Sequence, residues 1–532
     1  MRRGATAAAL AAVVALASAL GAAGCGSGES RTTTAPEPGA DVAWPRFGGD
    51  DDQSRFSPLA EVSTANVGRL GLAWSWQPGD DTTLWESFPV VAGGTLYVTT
   101  DSGQVVAFDA AAGVRRWSYT PQVDLLTATA EGQVPVNRGV AVAQGRVYLQ
   151  TWDARLVALD ADDGRELWSV PIAPGEPGVT GAGPPTYDGG RLVVGGSGSD
   201  PAGTRGFVAA FDAADGHELW RFHTVPRERG GGRVWMPPTV SGGTVYAGTG
   251  NPSPALTGGR RGCEPWTSGM VALDARDGRL RWGATEVCDD VWDYDGGQPP
   301  LVYETDVNGI ATRVVGHANK SGSYWLRDAA SGRELAPPTQ LIPQPARRPR
   351  PTRAGTTICP GALGGVAYGP AAHDPRGGTI FQGAAVMCMV YRRGAHSQSG
   401  RAVRVGGGEA RVVPGRAARG ALVALDDATG RVRWRRRLPA PLAGGVLATA
   451  GGIVFSGCDD GFLYAFDADT GRTLWRGAIG LAFGSAPLTF RAAGRQYVAV
   501  VAGGSSVAEQ TGAPVGARLV VLRLGGTALR GK

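Results

Sequence analysis

The chain has 532 residues, 42% of them hydrophobic and 19% charged, which is the composition of a globular protein and excludes a largely disordered chain. Its 84 glycines and 36 prolines predict frequent turns and exclude an architecture of long helices. The net charge of +5 comes mostly from single arginines. The densest basic run, residues 346–355, is proline-rich and lacks interleaved aromatics, so we expect a solvated loop there and no nucleic-acid partner.

Residues 1–25 are predicted to be a bacterial lipoprotein signal peptide. Arg2 and Arg3 form a positive n-region, and the apolar stretch 5–20 is short for a membrane-spanning helix. The sequence "LGAAGC" resembles a lipoprotein cleavage site, which implies lipidation of Cys25; Ala22, where such signals usually carry Leu, leaves plain secretion as an alternative. Residues 26–43 are predicted to be a flexible tether. We expect an extracytoplasmic protein that is lipid-anchored to the bacterial membrane, where disulfides persist.

One repeated phrase fills most of the remaining sequence. Each copy has an alternating apolar strand, an Asp-x-x-x-Gly turn and a second strand, and in all copies but one that strand ends in Trp. The seven copies begin their turns at Asp109, Asp160, Asp212, Asp274, Asp328, Asp426 and Asp467. The Asp can accept hydrogen bonds from its own turn amides, and the Gly tolerates a positive φ. Four short antiparallel strands per unit describe a propeller blade.

The repeat predicts an all-β fold, an eight-bladed β-propeller over residues 44–532. The eighth blade is expected to close when the last strands of the chain pair with the early segment "LGLAWSW". The long gap between Asp328 and Asp426 is expected to lie inside one enlarged blade. The tryptophans of the repeat are expected to be structural and to pack between blades.

The opening of this domain, "WPRFGGDDDQSRFSPLAEVSTANVGRLGLAWSW", resembles the start of quinoprotein alcohol dehydrogenases, and the similarity extends to the last strands. The resemblance implies an eight-bladed propeller that binds pyrroloquinoline quinone (PQQ) and a metal ion on its axis. Scaffold propellers of the outer-membrane assembly type carry the same repeat. Residues outside the repeat must therefore distinguish an enzyme from a scaffold.

Six motifs outside the repeat match cofactor-binding positions of that family: "WESFP", "PVNRGVAV", "VTGAGPP", "GGSGSDPAGTRG", "GGGRVW" and "GHANKSGSYW". The resemblance implies that PQQ is contacted by Glu86, Arg138, Thr180, Ser197, Gly198, Ser199, Trp235 and Lys320. In that reading Arg138 pairs with a cofactor carboxylate, Trp235 forms the floor under the ring, and Lys320 lies over the quinone oxygens. Two departures are visible: "EGQVPVNRG" lacks the family's adjacent cysteines, and Ala443 replaces a Trp of the methanol-oxidising members.

Two further motifs, "YAGTGNPSP" and "DDVWDYDGG", match the family's metal and catalytic segments. The resemblance implies that the metal is bound by Asp200, Asn251, Asp293 and Asp295. Asp293 is the implied catalytic base, and Asp295 is the extra acid of lanthanide-dependent members. Their i, i+2 spacing in an extended segment sends both side chains to the same side. These hard oxygen ligands predict Ca2+ or a lanthanide ion, whereas Asp289 and Asp290 are expected in a solvated acidic loop.

The cysteines are consistent with an oxidising compartment. Cys359 and Cys388 match a disulfide of the family, and Cys263 with Cys288 is expected to form a second bridge, for which the family offers no match. Cys458 is then left over and is expected to be a buried thiol at a strand end.

The sequence thus predicts a PQQ- and metal-dependent oxidoreductase that acts on a small alcohol or aldehyde. It contains no Cys-x-x-Cys-His motif, so electrons are expected to pass to a separate acceptor, a cytochrome c or a quinone. Two alternatives stay open. One is a non-catalytic lipoprotein propeller that scaffolds other proteins, and the other is a sugar dehydrogenase on the same propeller.

Overall fold

The computed structural model describes residues 40–79, 84–123, 135–176, 178–198, 204–257, 260–395 and 403–529. The chain enters the propeller through β1 (Phe56–Ser57), a 3-10 helix (Val67–Arg69) and β2 (Leu70–Trp76). The predicted signal peptide, with Cys25, and most of the predicted tether lie outside the described residues. No helix among the described residues is long and apolar enough to span a membrane.

The first four blades are antiparallel sheets of four strands each. Blade 1 comprises β3 (Val90–Ala92), β4 (Thr95–Thr99), β5 (Val105–Asp109) and β6 (Arg115–Tyr119). Blade 2 comprises β7 (Val140–Ala143), β8 (Arg146–Gln150), β9 (Arg155–Asp160) and β10 (Glu166–Pro171). Blade 3 comprises β12 (Thr186–Asp188), β13 (Arg191–Gly195), β15 (Phe207–Asp212) and β16 (Glu218–His223), with a ribbon of β11 (Val179–Thr180) and β14 (Ser197–Gly198). Blade 4 comprises β18 (Thr239–Ser241), β19 (Thr244–Thr249), β21 (Gly269–Asp274) and β22 (Leu280–Thr285), with a ribbon of β17 (Gly230–Gly231) and β20 (Pro252–Ser253).

The second half repeats the pattern. Blade 5 comprises β23 (Leu301–Val307), β24 (Ile310–Ala318), β25 (Ser323–Asp328) and β26 (Thr339–Gln340), and blade 6 comprises β28 (Ala372–Asp374), β29 (Thr379–Val386), β33 (Arg419–Asp426) and β34 (Val432–Leu438). An additional sheet is formed by β27 (Thr356–Ile358), β30 (Met389–Arg393), β31 (Val403–Val405) and β32 (Gly408–Val412). Blade 7 comprises β35 (Val446–Thr449), β36 (Ile453–Cys458), β37 (Phe462–Asp467) and β38 (Thr473–Ala478), and β1 adds to it in parallel with β35.

The eighth blade joins the two ends of the described chain. It comprises β39 (Leu488–Ala492), β40 (Arg495–Ala502), β41 (Arg518–Leu524) and the early strand β2, with helix α1 (Ser506–Thr511) between β40 and β41. Strand β2 pairs with β41 from Leu70↔Leu524 to Trp76↔Leu519. The predicted eight blades and their closure by "LGLAWSW" are therefore confirmed.

The first strands of the blades line the inside of the propeller. Those of consecutive blades contact one another from β3 through β7, β12, β18, β23 and β28 to β35, whereas fourth strands such as β6 and β34 are largely exposed. Because strands alternate in direction, the segment entering each first strand and the connection between second and third strands lie at the same end. We call this the connection end. The Asp-x-x-x-Gly turns lie at the opposite, turn end.

The repeat residues join neighbouring blades as predicted. Within a turn, Oδ1 of Asp109 accepts hydrogen bonds from the amides of Ala111 and Ala112, at 3.1 and 2.8 Å. Between blades, the Trp220 indole donates to the Ala275 carbonyl (3.1 Å) and covers Gly278, where a Cβ would come within 2.5 Å of the ring. The equivalent indole-to-carbonyl bonds are Trp74 to Ala110, Trp117 to Ala161, Trp282 to Ala329 and Trp434 to Ala468.

The gap between Asp328 and Asp426 contains the last strand of blade 5, the first strands of blade 6 and the additional sheet. Blade 6 is thus the enlarged blade, and its extra strands form a sheet of their own. Disulfides join Cys359 to Cys388, within this sheet region, and Cys263 to Cys288, which confirms both predicted pairs. Cys458 is a buried thiol at the end of β36, also as predicted.

Candidate active site

The predicted site residues lie at the connection end. Glu86, Arg138, Trp235 and Asp293 precede the first strands of blades 1, 2, 4 and 5. Asn251 and Lys320 follow the second strands of blades 4 and 5, and Ser197 follows the second strand of blade 3. Because first strands form the inner ring, segments that are far apart in sequence meet near the propeller axis.

Lys320 joins the two central carboxylates. Its Nζ lies 2.9 Å from Oδ2 of Asp293 and 2.6 Å from Oδ2 of Asp295, and all three side chains are buried. Burial lowers the pKa of the Lys320 ammonium, but the two carboxylates more than offset this effect and raise its pKa above the ordinary value. Asp293 has a φ of 66°, in the left-handed region that Asp tolerates better than most residues. Both carboxylates thus meet at Lys320, although the backbone at Asp293 is not extended, as the i, i+2 prediction assumed.

Asn251 lies beside this triad and is fully buried. Its backbone amide donates to Oδ1 of Asp295 at 2.6 Å, so the other oxygen of that carboxylate faces Lys320. The Oδ1 of Asn251 accepts a hydrogen bond from the Arg233 guanidinium at 3.3 Å. The predicted metal ligands Asn251, Asp293 and Asp295 are thus linked by hydrogen bonds, directly or through Lys320, and Lys320 and Arg233 are two cations in contact with them.

Arg138 forms the second half of the cluster. Its guanidinium donates to Glu86 at 2.6 Å, and both side chains are almost completely buried. The same guanidinium lies 5.0 Å from the ring centroid of Trp235 and 5.3 Å from that of Tyr368. Since the Lys320 ammonium is 6.0 Å from the Trp235 ring, this indole connects the arginine–glutamate pair with the lysine–aspartate group.

The remaining predicted residues lie on the ribbon of blade 3. Thr180 on β11 is paired with Ser197 on β14, and Gly198 faces Val179. The stretch after Thr180 leads to the cluster, because a Cβ on Gly183 would lie 3.2 Å from the Trp235 carbonyl. Among the described residues, neither Thr180 nor Ser197 contacts the charged cluster directly. Ser199 and Asp200 lie outside the described residues.

Two site residues, Arg233 and Tyr368, are missing from the sequence prediction. Arg233 belongs to "GGGRVW" and contacts Asn251, and Tyr368 packs edge-on against Trp235 at 6.2 Å between centroids. The Tyr368 hydroxyl donates to the Gly484 carbonyl at 3.1 Å, and burial raises its pKa well above the ordinary value. Arg233 could have been found from the sequence, because it is a charged residue inside a motif that matches a cofactor-binding position. Nothing comparable marked Tyr368, which follows "GGVA" in an otherwise ordinary stretch.

The expectation for Asp290 is wrong. This carboxylate is 2% exposed and accepts hydrogen bonds from the Ser268 hydroxyl and the amides of Trp292 and Tyr294. Burial raises the pKa of its carboxyl, and these donors counteract the rise. Asp290 therefore shapes the turn that presents Asp293. The side chain of Asp289 is 38% exposed, so the expectation of a solvated acidic loop fits Asp289 and fails at Asp290.

The basic run 346–355 is also more than a solvated loop. The Arg348 guanidinium lies 5.0 Å from the centroid of the Tyr294 ring, and the Pro349 carbonyl accepts a hydrogen bond from the Trp292 indole at 2.8 Å. Ala443 is buried in the same apolar cluster as Trp292, Tyr294 and the core of the additional sheet. That sheet therefore contributes to the cover of this side of the site.

The residues present fit a planar, anionic cofactor with a hard cation beside it. The Nε of Arg138 and the Oγ1 of Thr180 are buried without hydrogen-bond partners, and an acidic cofactor could satisfy the arginine. Trp235 offers an aromatic face between Arg138 and Lys320. The Asn251, Asp293 and Asp295 oxygens are the hard donors that Ca2+ and lanthanides require.

Comparison with known proteins gives the same answer. Residues 44–347 match the family described as "Glucose/ethanol/alcohol dehydrogenase, beta-propeller domain" of the PQQ type, and residues 371–527 match "Outer membrane protein assembly factor BamB". The quinohemoprotein alcohol dehydrogenase of Comamonas testosteroni is 31% identical over 87% of this chain and 73% of its own length. The chain belongs to the PQQ-dependent alcohol dehydrogenase family. It is an enzyme of the quinoprotein alcohol dehydrogenase type.

Solved structures of this family superpose on the whole propeller. Quinohemoprotein alcohol dehydrogenase ADHIIG from Pseudomonas putida HK5 gives a TM-score of 0.82 at 29% identity and covers 92% of this chain and 81% of its own. A europium-containing methanol dehydrogenase gives 0.80 at 26% identity, with coverage of 91% and 98%. Members of the PQQ family therefore share this chain's architecture over nearly its full described length.

Proposed function

We propose that this chain oxidises an alcohol, or an aldehyde, with PQQ and one hard cation, and passes the electrons to a separate acceptor, a cytochrome c or a quinone. The observation that carries the proposal is the cluster of Glu86, Arg138, Trp235, Lys320 and Asp293. These residues come from four blades and none belongs to the repeat, so the propeller does not need them for its own assembly.

The side chains suggest a division of roles. Asp293 takes the hydroxyl proton of the alcohol and retains it on its carboxylate. Lys320 compensates the negative charge of Asp293 and Asp295 and offers a donor to an oxygen on which charge develops. Arg138, fixed by Glu86, binds a carboxylate of the cofactor over the Trp235 face. When bound, PQQ supplies a two-electron quinone and the cation polarises it as a Lewis acid.

Around this centre, Thr180, Ser197, Gly198 and Ser199 are proposed to line the edge of the cofactor. The cation is proposed to be bound by Asp200, Asn251, Asp293 and Asp295. Three carboxylates favour a trivalent lanthanide over Ca2+, whereas the positive charges of Lys320 and Arg233 reduce the charge that the ion must balance. We propose a lanthanide preference that depends on Asp295.

The test is reconstitution of the purified protein with PQQ and either Ca2+ or a light lanthanide, followed by a dye-linked alcohol assay. Asp295→Ala should lose lanthanide-supported activity by at least about tenfold more than calcium-supported activity, since one lost charge contact is on the order of 1.4 kcal/mol or more. Asp289→Ala is the matched control, because Asp289 lies in the same acidic segment outside the cluster.

Two results would contradict the proposal. Absence of dye reduction with PQQ and every metal would remove the oxidoreductase function. Equal loss with both metals in Asp295→Ala, or wild-type activity with Ca2+ alone, would show that Asp295 does not select the ion. Unchanged ion dependence in the Asp289 control shows that any effect of Asp295 is specific.

The cellular setting is a further part of the proposal. Residues 1–25 would be the signal peptide, Cys25 the lipidated residue, residues 26–43 the tether and residues 44–532 the catalytic propeller. The disulfides Cys263–Cys288 and Cys359–Cys388 support an oxidising location outside the cytoplasm.

The scaffold alternative has one observation in its favour, the match of residues 371–527 to an outer-membrane assembly factor. That stretch contains none of Glu86, Arg138, Trp235, Asp293 and Lys320, which all lie within the match to the dehydrogenase family. A scaffold function also does not explain why charged residues outside the repeat form a buried cluster. The enzyme is therefore the better account.

A further inference from the structure

The start of the basic run 346–355 forms one wall of a recess that the proposed function does not use. The recess has a volume of about 610 Å³, which is enough for a small organic molecule. The rest of its lining comes from β25 and β26 of blade 5 and from the segment that follows β22. The five side chains that carry the proposed function are not part of this lining, so the recess is separate from the candidate active site.

The arginine-containing wall is attached to the propeller by hydrogen bonds. The Nε2 of Gln344 donates to the hydroxyl of Ser323 at 3.0 Å, which joins the wall to β25. The guanidinium of Arg350 donates to the Arg260 carbonyl at 2.5 Å, which joins it to the connection of blade 4. The wall is therefore held in one arrangement, so a ligand does not have to order it on binding.

Arg348 is positioned in the recess by neutral groups. Its Nη2 donates to Oε1 of Gln344 at 2.6 Å, and its guanidinium lies 5.0 Å from the ring centroid of Tyr294 and 5.9 Å from that of Trp292. No acidic side chain among the described residues forms an ion pair with it. A guanidinium that is fixed in place while its charge is not compensated is ready to bind an anion.

The lining as a whole is positively charged. Four arginines and two acids line the recess, which gives a formal charge of 4 − 2 = +2: Arg261, Arg347, Arg348, Arg350, Glu286 and Asp289. Arg261 and Arg347 are exposed, and neither has an ion-pair partner in the described part of the chain. Three of the four guanidinium groups are thus free to act on a ligand, because only Arg350 lies near an acid, at 3.9 Å from Asp289.

Polar and aromatic groups accompany these charges. Ser323 and Gln340 place a hydroxyl and an amide in the lining, and Trp292 and Trp325 contribute aromatic surface. The side chain of Asp289 is 38% exposed, so its carboxylate can accept a hydrogen bond from a ligand hydroxyl and repels a second anionic group. This combination favours an anion with one negative group and several hydroxyls over a polyphosphate.

We propose that the recess is a binding site for a small hydroxylated monocarboxylate with the size and polarity of a sugar acid. Arg348 pairs with the carboxylate through its planar fork, and the exposed Arg261 and Arg347 add to the attraction. Ser323 and Asp289 bind hydroxyls of the ligand. The proposal does not rest on the proposed function, since no side chain of the catalytic cluster takes part in it.

The test is calorimetric titration of the full-length protein with three probes: gluconate, its neutral amide gluconamide, and inorganic phosphate. The titrations are made before and after saturation with PQQ, without added metal, so that binding at the cofactor position is distinguished from binding in the recess. Arg348→Gln removes the central guanidinium. Arg476→Gln is the matched control, because Arg476 also stacks on an aromatic ring, that of Phe462 at 4.7 Å, but lies on β38 of blade 7.

We expect gluconate to bind at one site per chain, with an affinity that PQQ changes by less than about twofold. Gluconamide and phosphate should bind at least about tenfold more weakly, since the amide lacks the charge and phosphate lacks the hydroxylated chain. Arg348→Gln should weaken gluconate binding at least about tenfold through loss of a charge-assisted contact. The exposed Arg347→Gln should weaken it about two- to fivefold, and Arg476→Gln should leave it unchanged.

Several results would overturn the proposal. These are the absence of gluconate binding, equal affinity for gluconamide or phosphate, an equal loss in Arg476→Gln, or displacement of gluconate by PQQ. Unchanged binding in Arg348→Gln would also overturn it; if that variant does not fold, unchanged binding in Arg347→Gln takes its place. If PQQ does not bind at all, the proposed function fails, and the comparison of these variants in the cofactor-free protein still decides the recess.

Discussion

At the residue scale, Asp459 is a buried acid that the proposed chemistry does not use. It follows β36 at the connection end and is 2% exposed. Its Oδ1 accepts a hydrogen bond from the Phe483 amide at 3.3 Å, and its Oδ2 has no partner. Burial raises the pKa of this carboxyl from 3.8 to about 7, because a charged carboxylate there is poorly solvated. The folded protein therefore retains a proton that the unfolded chain releases in mild acid.

The sign of the resulting pH dependence follows from linkage. Between about pH 4 and pH 7 the folded state binds more protons at Asp459 than the unfolded state, so the free energy of unfolding falls as pH rises through this window. The full loss is on the order of 4 kcal/mol above pH 7. Asp459→Asn removes this contribution. Urea unfolding at pH 5 and pH 8 should show a smaller decrease for the variant than for the wild type; equal decreases would refute the assignment.

At the scale of elements, six pairs of neighbouring blades are joined by a tryptophan–glycine contact among the described residues. Gly278 has a φ of 71° and lies under the Trp220 ring, so an added Cβ meets both backbone strain and the indole. In blade 5 the repeat lacks its Trp, and the corresponding Gly430 is covered by Leu326 instead, at 3.1 Å from the position of a Cβ. The contact depends on shape, and a leucine can replace the indole.

Gly278→Ala should therefore destabilise the protein more than a glycine change that only adds strain. Gly309 is the matched control, because its φ is 84° and nothing lies within 4 Å of its Cβ position. Both variants lose about 1–2 kcal/mol from the left-handed backbone, and Gly278→Ala loses a further 1–3 kcal/mol from overpacking. Chemical unfolding at one pH measures the difference. Equal unfolding midpoints for the two variants would show that the Trp220 ring moves aside without loss of stability.

At the scale of the whole molecule, the ring is closed by β41, which pairs with β2 on one side and β40 on the other. Deletion of residues 518–532 removes this strand, exposes two sheet edges and separates the chain ends. We expect loss of the cooperative thermal transition and aggregation. Deletion of residues 530–532 alone should leave the transition unchanged. A cooperative transition in the longer deletion would show that the other blades are stable as an open array.

The sequence by itself determined the features that depend on neighbouring residues. Each Asp-x-x-x-Gly turn forms from hydrogen bonds within five residues, so the blade repeat could be read directly and the closing strand inferred. Motifs outside the repeat indicated Glu86, Arg138, Trp235, Asn251, Asp293, Asp295 and Lys320, which the structure brings together. Both disulfides were also predicted correctly.

Only the tertiary structure decided which distant groups meet. Arg233 contacts Asn251, and Tyr368 contacts Trp235, because first strands converge on one axis and bring remote segments together. Asp290 is buried because its turn folds inward, where its carboxylate accepts three hydrogen bonds. The neighbouring acidic residues in the sequence had suggested that it would be exposed to solvent. The additional sheet contacts Trp292 through the Tyr391 hydroxyl, and its position follows from the direction of the blade 6 strands. Such contacts depend on ring closure, and no local pattern in the chain encodes them.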